Sequence, residues 1–117
     1  MQQRYLRSWK KNMDSKNEKY EIEFTEECRK EIDEIYEYIS EKLRSENSAK
    51  RLMKKMRNTV MDLSESPSLY MKIEKKDKLK RDFRRIVIDN FVVLYAVDEI
   101  CRIVYIVHMY YGRRDYL

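Results

Sequence analysis

Along this chain the spacing of apolar positions changes twice, and each change marks a new kind of element. In residues 20–24, Tyr-Glu-Ile-Glu-Phe, large apolar and acidic side chains alternate, so Tyr20, Ile22 and Phe24 share one face of a short strand. Cys28, Ile32, Ile35, Tyr36, Ile39 and Leu43 then recur at three- and four-residue steps, the spacing of an amphipathic helix. Thr25 is placed to cap it, and Glu26 and Glu27 sit favourably at the positive end of its dipole. Residues 44–48, Arg-Ser-Glu-Asn-Ser, break the pattern, and Asn47 or Ser48 can cap a second helix. Its stripe is Ala49, Leu52, Met53, Met56, Val60 and Leu63, and Pro67 stops it. So short a polar break predicts an antiparallel helical hairpin.

Beyond Pro67 the spacing becomes that of strands. Residues 70–75 are a weak strand candidate, and 75–82 carry too much charge to be buried, which reads as a mobile basic loop. Residues 83–88, 91–97 and 102–111 are rich in β-branched and aromatic side chains, with Asp89-Asn90 and Asp98-Glu99 between them at turn positions. The expected fold is α+β: an N-terminal strand and an antiparallel helical hairpin packed on one face of a twisted antiparallel β-sheet. Residues 1–18 show no hydrophobic period and read as a flexible basic extension in which Trp9 is a possible anchor; the domain proper is expected over 19–117.

Composition narrows the class. At 117 residues there is material for one core. No apolar run approaches the roughly 20 residues of a membrane helix, and the basic N-terminal stretch lacks the apolar segment of a secretion signal, so a cytoplasmic setting with no membrane partner is expected. Cys28 and Cys101 have neither metal-ligand nor redox spacing and are expected as buried thiols. The net charge of +5 is unevenly spread: residues 21–46 hold ten acids against four bases, residues 50–85 thirteen bases against five acids. The basic half suits polyphosphate or an acidic protein segment, or simply keeps a small domain in solution.

With one histidine and two scattered cysteines there is no zinc set, and a lone Gly112 excludes a glycine-rich phosphate loop, so neither metal nor cofactor is expected. What remains is an arginine and tyrosine constellation on the last strands. Alternation sends Arg84 and Arg85 to opposite faces, and whichever lies on the open face can meet Arg113 or Arg114, with Lys78 and Lys80 supplying charge from the loop. Guanidinium groups grip phosphate in pairs of hydrogen bonds and tyrosines stack on bases; equally, these arginines can pair with Asp82, Asp89 and Asp115 as solvated ion pairs. By alternation His108 falls with Val104, Ile106 and Tyr110, either as a general base or as a hydrogen-bonded structural residue, while Tyr110 and Tyr111 take opposite faces.

The order of elements, together with the segments RDFRRIVIDNFVVLYAVDE (81–99) and VYIVHMYYGRRDY (104–116), and AKRLMKKM and LSESPSLY upstream, resembles the RelE/ParE superfamily of type II toxins over about Tyr20 to Tyr116. The resemblance implies a toxin-antitoxin module of the kind tied to plasmid stabilization and growth inhibition, with a cognate antitoxin whose extended or helical segment wraps and neutralises the toxin. Two activities are implied as alternatives. ParE-like members poison DNA gyrase; RelE-like members are metal-independent endoribonucleases that cut ribosome-bound messenger RNA, their basic residues stabilising the phosphate. For the ribonuclease, the resemblance matches Arg85 and Arg114 to basic positions, with His108 and Tyr110 as looser counterparts. The target-binding set is Arg84, Arg85, Arg113, Arg114, Lys78 and Lys80. Two features depart from the ribonuclease pattern: Val92 stands after Phe91 where such members usually carry an arginine, and the late tyrosine that some of them carry several residues beyond the final basic pair has no counterpart. The expectation is therefore ParE-like, with Arg84 as a possible substitute for the missing arginine; a fold kept for protein interaction without toxicity is a third reading.

Overall fold

The computed structural model describes residues 20–76 and 80–112. In chain order the elements are β1 (Glu21–Phe24), α1 (Glu26–Leu43), α2 (Glu46–Met61), a 3₁₀ turn (Asp62–Ser64), β2 (Lys72–Lys76), β3 (Asp82–Ile88), β4 (Phe91–Asp98) and β5 (Ile103–Tyr111). They form one five-stranded sheet in the order β1-β5-β4-β3-β2. The neighbours β2 to β5 pair antiparallel, as successive strands joined by short turns must. β1 instead lies parallel to β5, with Glu21 opposite Ile103 and Phe24 opposite Ile106, because the helical hairpin carries the chain away from β1 before the meander begins.

The helices start where short side chains cap them. Thr25 Oγ1 accepts from the Cys28 amide at 3.2 Å and, from the same hydroxyl, donates to the Val107 carbonyl at 2.9 Å, so the cap of α1 is also a tie to β5. The cap of α2 is Ser45, whose hydroxyl accepts from the Ser48 amide, two residues before Asn47 and three before Ser48, the two expected caps. Ser45 takes the role because the chain turns at Arg44, which closes α1 in the left-handed conformation (φ 51°) and leaves Ser45 extended. A second left-handed residue, Asp89 (φ 55°), opens the β3–β4 turn.

The apolar stripes meet on one sheet face. Ile32, Ile39, Met53, Met56 and Val60 from the helices are buried against Ile86, Val93, Tyr95, Val104, Ile106 and Met109 from the strands. Burying side chains of this size stabilises the fold by roughly 1.5–3 kcal/mol each before the cost of ordering is counted. The fully buried Tyr95 donates its hydroxyl to the Pro67 carbonyl at 2.8 Å, fixing the loop that enters β2. Of the two thiols, Cys28 is buried as expected and Cys101 is exposed, because it sits in the β4–β5 turn beyond reach of the core.

Candidate functional site

Directly opposed residues in a sheet share a face, so the register sorts the candidate residues. Arg84 pairs with Tyr95 and Arg85 with Leu94. Arg84 therefore lies on the helix side, where its guanidinium donates to the Tyr70 and Ser68 carbonyls and holds the loop before β2. Arg85 lies on the open face, exposed, and its guanidinium makes no hydrogen bond or ion pair among the described residues. Lys80 is exposed with φ 67°; Lys78, Arg113 and Arg114 lie outside the described residues.

Beside Arg85 the open face is apolar. Val87 opposes Val92, and Val92 opposes Tyr110. Val92, Leu94 and Tyr110 form a small buried cluster against which Ile73 packs. Tyr110 is thus a packing residue, while Tyr111, on the other face, packs against the main core and meets the Phe91 ring edge-on at 5.7 Å.

His108 departs from simple alternation. Leu94 opposes His108 but Tyr95 opposes Ile106, so one step on β4 spans two on β5 and Val107 is the extra residue. That bulge separates His108 from Val104 and Ile106 and gives the next helix-side position to Met109. β1 ends opposite Ile106, and from Val107 onward that edge of β5 is served by side chains of the α1 end of the chain. Thr25 reaches the Val107 carbonyl, and Glu31 Oε1 accepts from the Met109 amide at 2.8 Å. Glu31 Oε2 also lies 3.1 Å from His108 Nδ1. Burial pushes the Glu31 carboxyl above its ordinary value, and the hydrogen bonds from Met109 and His108 oppose that rise.

Glu31 was not among the residues singled out from sequence. Its signal is an acid at Cys28 + 3, inside the apolar stripe of α1, but the stripe does not say which backbone group it meets. Arg81 was missed likewise: its guanidinium lies 4.7 Å from the Tyr105 ring centre and 3.6 Å from Asp98, across two strands.

Between α1 and the ends of β4 and β5 run two cavities of about 320 and 590 Å³ that share Tyr38, Phe91 and Tyr111. Gly112 closes this end. Its amide donates to the Asn90 carbonyl at 2.7 Å, and an added Cβ would stand 3.1 Å from that same oxygen. Among the described residues no group of three or more histidines, cysteines or carboxylates is arranged to hold a metal, and no helix is long and apolar enough to cross a membrane.

A model of the family described as ParE toxin of type II toxin-antitoxin system, parDE, matches residues 22–116. No curated protein is a significant match by sequence. Among solved structures, the chain is similar to one from the chromosomal ParDE toxin-antitoxin system of P. aeruginosa, with a TM-score of 0.63 and 13% identity over 80% of this chain and 96% of that one. It is also similar to a chain of the archaeal RelE-RelB complex of Pyrococcus horikoshii OT3 (TM-score 0.53, 15% identity, 83% and 99% covered). A chain of the RelBE2 toxin-antitoxin complex of Mycobacterium tuberculosis is comparable (TM-score 0.53, 17% identity, 79% and 96% covered). At these identities the solved structures speak for the fold, and the family match carries the relationship.

Proposed function

Because this chain belongs to the ParE toxin family of type II toxin-antitoxin systems, we propose that it arrests growth in the cytoplasm by binding an essential protein target, with DNA gyrase as the first candidate. The observation that carries this reading is the state of the residues a ribonuclease would need. Val92 occupies the position of the missing arginine and is buried in the small apolar cluster. Arg84, the one substitute the sequence offered, faces the helices and is engaged with the Tyr70 and Ser68 carbonyls. Tyr110 is packed beside Leu94, and the Nδ1 atom of His108 meets a carboxylate. Of the proposed basic set, Arg85 stands exposed on the open sheet face as the target contact, with Arg113, Arg114, Lys78 and Lys80 proposed to add charge. Removing one positioned charge-stabilising donor typically costs on the order of 100-fold or more in rate, so an RNA-cleaving site without that arginine would be severely weakened.

The partner that neutralises the toxin is a cognate antitoxin. Its acidic segment is proposed to dock on the exposed bases of α2, where Lys50, Arg51 and Lys54 project into solvent.

Induced expression tests the target. The expected result is growth arrest with gyrase-linked DNA breaks and intact messages, reversed by co-expression of the antitoxin from the adjacent reading frame. Codon-positioned cuts in messenger RNA would overturn it in favour of the RelE-like ribonuclease.

A further inference from the structure

Arg85 is flanked by exposed aliphatic side chains on a backbone that is held in place. Its amide donates to the Met71 carbonyl at 3.1 Å, which sets Met71 beside it just before β2, and Val87 follows two residues along the same strand face. Strand geometry separates the three by roughly 5 Å across and about 7 Å along the sheet. Met71 is 81% exposed and Val87 64%, while Leu94, directly opposite Arg85, is fully buried. Met71 is not exposed because its segment is loose: Arg84 binds the Tyr70 carbonyl, Tyr95 binds the Pro67 carbonyl, and Arg85 itself binds Met71.

We infer that Met71, Arg85 and Val87 form a protein-docking patch that takes a carboxylate of the target protein between two aliphatic contacts. This rests on the reading that the toxin acts by binding a target. Three features favour a protein over nucleic acid. A single-stranded nucleic acid needs aromatic faces on which to stack, and here Tyr110 is buried and Phe83 is half-buried opposite Ala96. An arginine framed by apolar groups is the composition of an interface centre, where the charge is paired by the partner and the surrounding contacts exclude water. Finally, a backbone already fixed by hydrogen bonds loses little further freedom on association.

The test compares the wild-type chain with Arg85→Gln and with the double variant Met71→Gln/Val87→Thr, which keeps side-chain size and strand propensity and removes only apolar contact. Each is expressed from a graded promoter, with protein level measured against growth and thermal melting used to confirm that the fold is intact. Both variants should require at least 10-fold more protein for half-maximal arrest, and neither should bind a 12-nucleotide oligo(U) RNA more weakly than wild type. Arrest unchanged in the double variant, or oligo(U) binding that depends on Arg85, would overturn the protein-docking patch and leave the toxin intact. A wild-type chain that arrests nothing would overturn the target-binding reading and this patch with it.

Discussion

Glu31 shows how one side chain can take over work that a strand would otherwise do. It accepts the Met109 amide at the point where β1 no longer covers β5, and it meets His108 with its other oxygen. Because burial is the largest influence and raises its pKa, folded Glu31 binds a proton more readily than unfolded Glu31. Its charged form therefore costs stability as pH rises through the window just above the ordinary glutamate value, and that cost is absent below it. Glu31→Gln retains an oxygen for Met109 and has no such titration. Denaturant melts of the two proteins should show wild type gaining on the variant as pH is lowered from 7 towards 4.5. A difference that stays constant with pH would show that the carboxyl is not perturbed. Cysteine chemistry gives a second residue-scale expectation. Burial pushes the Cys28 thiol well up, whereas Cys101 is exposed. Iodoacetamide should label Cys101 in the native protein and reach Cys28 only after unfolding, as mass spectrometry of the modified peptides would report.

At the scale of elements, the junction of β1, α1 and β5 depends on Thr25. One hydroxyl caps the helix and ties it to the Val107 carbonyl at the bulge, so its loss removes both bonds. Thr25→Ala should cost about 1–2 kcal/mol in urea unfolding, near the upper range for a cap, while Thr25→Ser should recover most of it. The cap, both helical stripes and the three long strands could be read from sequence, because each depends on residues within a few positions of one another. The second cap, Ser45, lies two residues before Asn47 and three before Ser48: local composition offers several polar candidates, and the left-handed Arg44 decides among them. Strand alternation failed at His108 for a comparable reason. A bulge is a property of a pair of strands, and the Val107 insertion has no signature in β5 alone.

For the molecule as a whole, charge separation follows the fold. The acidic stretch of the sequence becomes β1 and α1, whereas α2 and the β2–β3 region carry the bases. If the antitoxin docks on α2 through charge, Lys50→Glu/Lys54→Glu should weaken its binding by about 10-fold at low salt, and the difference should shrink as ionic strength rises, since exposed charges are screened over roughly 10 Å at 0.1 M. Titration calorimetry at two salt concentrations would measure it, and an affinity indifferent to both would place the antitoxin elsewhere. The same variant should still arrest growth when expressed alone, because the proposed target patch is on β3 and the segment before β2.

Sequence by itself determined the kinds of element, their order, the apolar stripes of the two helices and, through the segments around Arg85 and Tyr110, membership of the toxin superfamily. These follow from short-range periodicity and from residue types that keep their meaning in any context. Tertiary structure decided which of two adjacent arginines reaches solvent, that β1 runs parallel to β5, and that Glu31 completes the edge of the sheet. Alternation requires only that Arg84 and Arg85 face opposite ways. Which face the helices cover is set by packing between segments tens of residues apart, and that packing turns Arg84 into a loop anchor and leaves Arg85 exposed on the other face.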